Sequence, residues 1–198
     1  MIQSAVSVKS WYAKTPSVEA VRPARCPSCG AAGSPVGARC QLHGHGLRER
    51  VVQGPLAPGE RPTTITIMAR RFWCVVCHAV LLVVPAGVLR LRRYTAMAIG
   101  FAFALFGLQE QSPAQVREAV SAWPEVGHTA AAGWATLKRW ARAARAGTLF
   151  AGRLRDPPRT PLRRVAEAVA AWLSALAPPP CSPVPDAVSA FTGGAHLR

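Results

Sequence analysis

Acidic side chains are scarce in this chain. Asp and Glu number 9 against 24 Lys and Arg, a formal charge of +15 over 198 residues. The two aspartates, Asp156 and Asp186, both stand beside prolines, and the glutamates are scattered. Cleaving DNA through two metal ions needs carboxylates gathered around the phosphate, so this scarcity argues against a nuclease. No nucleophile–base pair, phosphate-cradling glycine loop or paired carboxylate stands out. No enzymatic activity is expected. Lysine is scarce too: only Lys9, Lys14 and Lys138 occur, which leaves 21 of the 24 bases as arginine. The forked guanidinium contacts phosphates and guanine edges in pairs of hydrogen bonds. So positive a chain calls for a polyanionic partner, nucleic acid before an anionic membrane. A plain arginine-rich bias, in keeping with the many Ala, Gly and Pro, is the alternative.

Long apolar runs are also lacking. Residues 1–20 carry Lys9, Lys14 and Glu19 and no apolar core of a signal peptide. The expected location is therefore the reducing cytoplasm, where cysteine pairs bind metal more often than they form disulfides. Residues 72–89 make 18 positions without Asp, Glu, Lys or Arg, near the lower limit for a membrane span. They also contain Cys74, Cys77, His78, Pro85 and Gly87, which suit a strand, a turn and a linker better. Residues 96–108 number only 13, too few to span. No membrane partner is expected.

What the chain does have is a pair of matched cysteine motifs, Cys26-Pro-Ser-Cys29 and Cys74-Val-Val-Cys77. Four thiolates in two short knuckles suit tetrahedral zinc, and Cys26, Cys29, Cys74 and Cys77 are the expected ligands of a structural Zn2+. The 44 residues between the pairs exceed the usual spacing of about 15–20, so a long hairpin or insertion is expected there. Two disulfides, or reduced and unliganded thiols, are the alternatives. Cys40, His43 and His45 form a second group. It is either a further metal site with no obvious fourth ligand or a glycine turn with exposed histidines. Cys40 could also replace one of the four ligands.

The predicted architecture is α+β: a small zinc-ribbon β domain, then a helix-turn-helix-like bundle with a C-terminal helix. Residues 1–20 show no period and are expected to be a flexible arm. The ribbon takes residues 21–89. Residues 47–52 and 63–72 read as strands, the second alternating Thr64, Thr66, Met68 against Ile65, Ile67, Ala69. Gly54-Pro55 and Pro58-Gly59 mark the turn between them. Arg48, Arg50, Arg61, Arg70 and Arg71 stud this ribbon, as a solvated face or as phosphate contacts. Arg90, Arg92 and Arg93 then bridge to the helical domain, residues 90–147.

Residues 96–108 are apolar on nearly all sides, as befits a central helix. Ser112-Pro113-Ala114-Gln115 is a helix start with a capping box, and Pro124 is expected to stop that helix at Trp123. A third helix is expected to end near Ala146. At about 100° per residue, Trp134, Leu137, Trp140, Ala141 and Ala144 gather on one side. Lys138, Arg139, Arg142 and Arg145 gather on the other, as a DNA-reading helix or as an ordinary surface helix. Residues 148–180 hold a proline-rich linker and an amphipathic helix whose stripe runs Leu162, Val165, Val169, Trp172, Leu173, Leu176. That stripe packs on the bundle or pairs with a second copy or a partner protein. Residues 181–198 read as a disordered tail with a free thiol at Cys181.

This order resembles the N-terminal DNA-binding region of bacterial insertion-sequence transposases and related short, uncharacterised zinc-ribbon proteins. The residues that carry it are Cys26-Pro-Ser-Cys29, Arg70-Arg-Phe-Trp-Cys74-Val-Val-Cys77, Arg92-Arg-Tyr94 and Gly133-Trp-Ala-Thr-Leu-Lys-Arg-Trp140. The last resembles a recognition helix, with Trp140 its buried anchor. The resemblance covers about residues 22–147 and implies double-stranded DNA as partner. Thr136, Lys138, Arg139, Arg142 and Arg145 would face the groove, and Arg70, Arg71, Arg92 and Arg93 the phosphates. Two departures stand out: the loop at residues 123–129 exceeds the usual tight turn, and the acidic catalytic half is missing. The expectation is therefore a binding module of mobile-element or regulatory type without the nuclease. A zinc-stabilised interaction adaptor or a transcriptional regulator is the alternative.

Overall fold

The computed structural model describes residues 1–123, 133–150, 157 and 159–197. The expected loop at residues 124–129 and most of the proline-rich linker lie outside them. The fold is α+β, and the chain divides into two units. The first comprises Met1–Val52 with Ile65–Arg93; the second comprises Gln53–Thr64 with Tyr94–Leu197.

The first unit is built on a sheet of four strands: β1 (Ile2–Gln3), β2 (Leu42–Gly54), β3 (Thr63–Cys74) and β4 (Val80–Val84), in the order β1-β4-β3-β2. The alternation read from residues 64–69 holds: Ile65, Ile67 and Ala69 are buried while Thr64 and Thr66 are exposed. β3 and β4 are antiparallel, with Arg70 opposite Val83, Arg71 opposite Leu82, Phe72 opposite Leu81 and Trp73 opposite Val80. Directly opposed residues share a face. Phe72, Leu81 and Val83 therefore form one buried face, and Arg71, Trp73, Val80 and Leu82 lie on the other.

Residues 1–20 are not a flexible arm. β1 joins β4 in parallel, pairing Ile2 with Val83 and Gln3 with Val84. Helix α1 (Val8–Ala13) is capped by Ser7, whose side chain accepts from the Ser10 N–H. Trp11 is completely buried, and its indole N–H donates to the Met68 carbonyl at 3.0 Å. Arg70 holds the same segment by donating from Nε to the Pro16 carbonyl at 2.8 Å. A two-residue strand and a six-residue helix are too short to leave a period in sequence, which is why this segment reads as unstructured.

The second unit is helical and takes in the hairpin's Gln53–Thr64 tip. Its centre is α2 (Ala96–Gly107), capped by Thr95 and buried along most of its length. α3 (Pro113–Val120) starts at Ser112 with both halves of the capping box present. It ends three residues before the expected stop, and Trp123 is 58% exposed with its indole N–H donating to Thr64. α4 (Ala135–Arg145), α5 (Leu162–Ser174) and α6 (Asp186–Ala195) complete the unit. α5 packs against α2, α4 and α6, burying Val165, Val169 and Leu173. Half of the apolar stripe is thus taken up inside the unit, while Leu162, Trp172 and Leu176 stay half-buried.

The tail is also ordered over most of its length, since residues 186–195 form α6, which packs on α2 and α5. Gly193-Gly194 signals flexibility in sequence, but here lets helix backbones touch: a Cβ on Gly194 would lie 2.7 Å from Met97 backbone atoms. Phe191 meets Phe101 edge to face, ring centroids 6.1 Å apart.

Candidate metal centre and cationic surfaces

The two cysteine motifs fold as copies of one loop. In the first, the Cys26 N–H donates to Ala31 O and the Gly30 N–H to Cys26 O, both at 2.8 Å. In the second, the Cys74 N–H donates to Ala79 O at 3.0 Å and the His78 N–H to Cys74 O at 2.9 Å. Just outside each loop an antiparallel pair continues the match, Arg25 with Ala32 and Trp73 with Val80. At the fourth residue after the first cysteine the backbone turns left-handed, with Gly30 at φ 76° and His78 at φ 60°. Glycine takes that conformation freely, whereas a side chain costs about 1–2 kcal/mol there. The His78 ring lies against Trp73, centroids 5.5 Å apart and planes at 33°. His78→Gly is expected to stabilise the fold by up to about 1 kcal/mol, the strain relieved less the extra entropy of an unfolded glycine. A denaturant midpoint that falls instead would mean the ring contact outweighs the strain.

The loops bring Cys26, Cys29, Cys74 and Cys77 together with all four Sγ atoms within 4.8 Å of one another. Across the two loops, Cys26 Sγ lies 3.7 Å from Cys77 Sγ, and Cys29 Sγ lies 3.7 Å from Cys74 Sγ. A metal held tetrahedrally by thiolates at about 2.3 Å separates its sulfurs by about 3.8 Å, so the set fits such an ion. All four are free cysteines in this structure. Cys26 and Cys74 are buried, Cys77 is half-buried and Cys29 is exposed. Burial pushes the Cys26 thiol up, but the N–H groups of Ser28 and Cys29 and the thiols of Cys77 and Cys29 bring it down to about 6. Cys29 is pulled down by the Ala31 N–H, yet burial and the sulfurs of Cys77, Cys26 and Cys74 push it up to about 12. Four sulfurs this close resist full ionisation unless a cation neutralises them, and metal binding therefore releases protons.

Cys40, His43 and His45 do not join the cluster. Cys40 Sγ sits 3.1 Å from Gly33 O and 3.2 Å from Leu42 O, and both histidines are exposed on β2. Among the described residues, only the four cysteines gather as a metal-ligating group.

The predicted DNA contacts divide between the two units. α4 buries Trp134, Leu137, Trp140, Ala141 and Ala144, the face expected from its period. Tyr94, Trp134 and Trp140 stack edge to face, with centroids 4.9–5.9 Å apart. Arg139 and Arg142 are exposed, while Thr136, Lys138 and Arg145 are half-buried. Arg139 donates to Thr136 Oγ1 at 2.9 Å and Arg145 to Thr160 O at 3.1 Å. In the first unit, Arg93 is exposed and Arg92 half-buried. Arg70 is committed to the Pro16 carbonyl, which binds structure rather than leaving it toward solvent. Arg50 serves the same end: it donates to the carbonyls of Leu89 and Arg92, pinning the residue 89–92 segment. Arg71, with Arg48, lines an open groove of about 450 Å³ floored by Val80 and Leu82. The sequence reading missed this groove and the Trp73–His78 pair. The only signal in the sequence was the mismatch between Gly30 and His78 at one loop position.

No family model matches the chain, and neither a curated protein nor a solved structure is significantly similar to it. Among the described residues, no helix is long and apolar enough to cross a membrane.

Proposed function

We propose that the chain is a non-catalytic, zinc-dependent double-stranded DNA-binding protein, with Cys26, Cys29, Cys74 and Cys77 holding a structural Zn2+. Four protein sulfurs fill a tetrahedral shell and leave no open position for substrate, the arrangement of a structural site. The observation that carries the DNA reading is α4, which buries a tryptophan-rich face and leaves Arg139 and Arg142 exposed on the other. Such a helix, anchored on one side and cationic on the other, suits insertion into a major groove. Two of the nine carboxylates pair locally on the surface, Glu19 with Arg22 at 3.3 Å and Glu167 with Arg164 at 2.8 Å. The likeness to transposase DNA-binding regions rests on the motifs quoted above and makes mobile-element or transcriptional DNA the natural target. The alternative is an interaction adaptor, for which the 162–176 helix keeps Leu162, Trp172 and Leu176 only half-buried while Val165, Val169 and Leu173 pack within the unit.

Selection of the zinc-loaded protein against a random duplex pool is the test. One enriched motif is expected, and binding without enrichment would remove sequence reading. Contact with about six phosphates gives a log–log salt slope near −5; a nearly salt-independent affinity would sink the proposal. Arg139→Ala should relax preference at one base position. Uniform weakening with a shallower salt slope would instead make Arg139 a phosphate contact.

A further inference from the structure

We infer that the ribbon face bearing Arg48, Arg71 and Trp73 binds single-stranded nucleic acid. This goes beyond the duplex reading and does not depend on α4. Arg71 and Trp73 are two residues apart on β3, opposite Leu82 and Val80 on β4. They therefore point to one side of the sheet about 7 Å apart, the step from a phosphate to the base of one nucleotide. Arg48 and Arg71 flank the groove, whose floor of Val80 and Leu82 is apolar, and Val80 is 52% exposed. Among the described residues, no carboxylate lines this groove. Glu49 alternates to the opposite side of β2 from Arg48.

Two cations beside an apolar floor, with the half-buried Trp73 indole next to Val80, make a place for one phosphate and one base face. A duplex offers its phosphates but not its base faces, which are stacked on one another. An unpaired strand offers both, and every base has a face to stack, so the site tolerates any sequence. The backbone at His78 points the same way. The matched loop places Gly30 at this position, whereas the second loop keeps a histidine at φ 60°. Its ring lies against Trp73 and extends the aromatic surface beside the groove. Leu91, Glu110 and Phe150 also adopt positive φ, so it is the ring contact with Trp73, not the backbone alone, that ties His78 to this face.

The test is fluorescence anisotropy of the zinc-loaded, full-length protein with labelled oligothymidylate of about twelve nucleotides, beside an abasic strand of equal length. Trp73→Leu is expected to weaken oligothymidylate binding about tenfold, the worth of one lost base stack, and to leave the abasic strand unaffected. Arg48→Gln with Arg71→Gln should weaken both strands and flatten the salt dependence by about 1.4 in slope. His78→Gly should weaken oligothymidylate several-fold although the fold is no less stable. Arg139→Ala with Arg142→Ala should leave single-strand binding intact while duplex binding falls, which separates this inference from the duplex reading. Equal affinity of wild type and Trp73→Leu for oligothymidylate overturns the inference. So does loss of single-strand binding in the α4 variant alone, or equal affinity of the wild type for the two strands. Circular dichroism and metal content of each variant confirm that it is folded, and the two arginine variants carry the test if Trp73→Leu is not.

Discussion

Cys74→Ser is expected to cost the protein its metal and unfold the sheet-bearing unit, and a strong chelator should do the same. Cys74 ends β3, is completely buried, and forms the second loop through its N–H bond to Ala79 O at 3.0 Å. A serine hydroxyl ionises far too weakly to replace a thiolate, so the shell loses a ligand and gains a buried polar group. Structural zinc supplies on the order of 10 kcal/mol or more of folding free energy. That is comparable with the whole stability of an ordinary domain, about 5–15 kcal/mol. Metal analysis should find one zinc per chain in the wild type and none in the variant. Backbone amide spectra of the variant should lose the dispersion of β2, β3 and β4. Cys40→Ser and Cys181→Ser should keep full metal content, since Cys40 bonds to carbonyls and Cys181 is exposed. A Cys74→Ser protein that keeps one metal and its sheet would show that the four-sulfur set is wrong. Cobalt substitution offers an independent check, because four thiolates give the intense visible spectrum of tetrahedral Co2+.

Gly193→Ala is expected to destabilise the helical unit by about 3 kcal/mol, the upper end of what overpacking costs. A Cβ at this position would lie 1.7 Å from the Leu173 carbonyl oxygen and 2.6 Å from its carbon. Both are backbone atoms of α5, so no rotamer change can relieve the clash. α6 would have to withdraw from α5 and loosen Phe191 from Phe101. For a unit of this size, a thermal midpoint lower by about 10–20 °C follows. A scan in which Gly193→Ala melts with the wild type would mean that α6 does not dock on α5.

The four-sulfur cluster was legible because its information is local. Each loop needs only a four-residue motif, and the repeat of that motif told which cysteines belong together. The cationic and tryptophan-bearing faces of α4 were legible for a similar reason: a period of 3.6 sorts Leu137, Trp140 and Ala144 from Arg139 and Arg142 without knowledge of the neighbours. The capping box at Ser112 and the alternation along residues 64–69 are equally local. The errors fell where the deciding contact is distant. Trp11 is buried by strands some sixty residues later (its indole bonds to Met68), and nothing near it in sequence announces that. Arg70 and Arg50 look like surface cations until the carbonyls of Pro16, Leu89 and Arg92 come within reach.

By itself, then, the sequence determined the α+β class, the four sulfurs, the arginine excess and the two faces of α4. These follow from residue chemistry and from the fixed periods of helix and strand. Tertiary structure alone decided which arginines stay on the surface, what Gly193 and Gly194 are for, and that Arg71 shares a groove with Arg48. A glycine reads the same whether it frees a tail or lets two helix backbones touch. Only the position of Leu173 against Gly193 distinguishes the two. Likewise a guanidinium is a ligand for phosphate only if no carbonyl of its own chain has claimed it first.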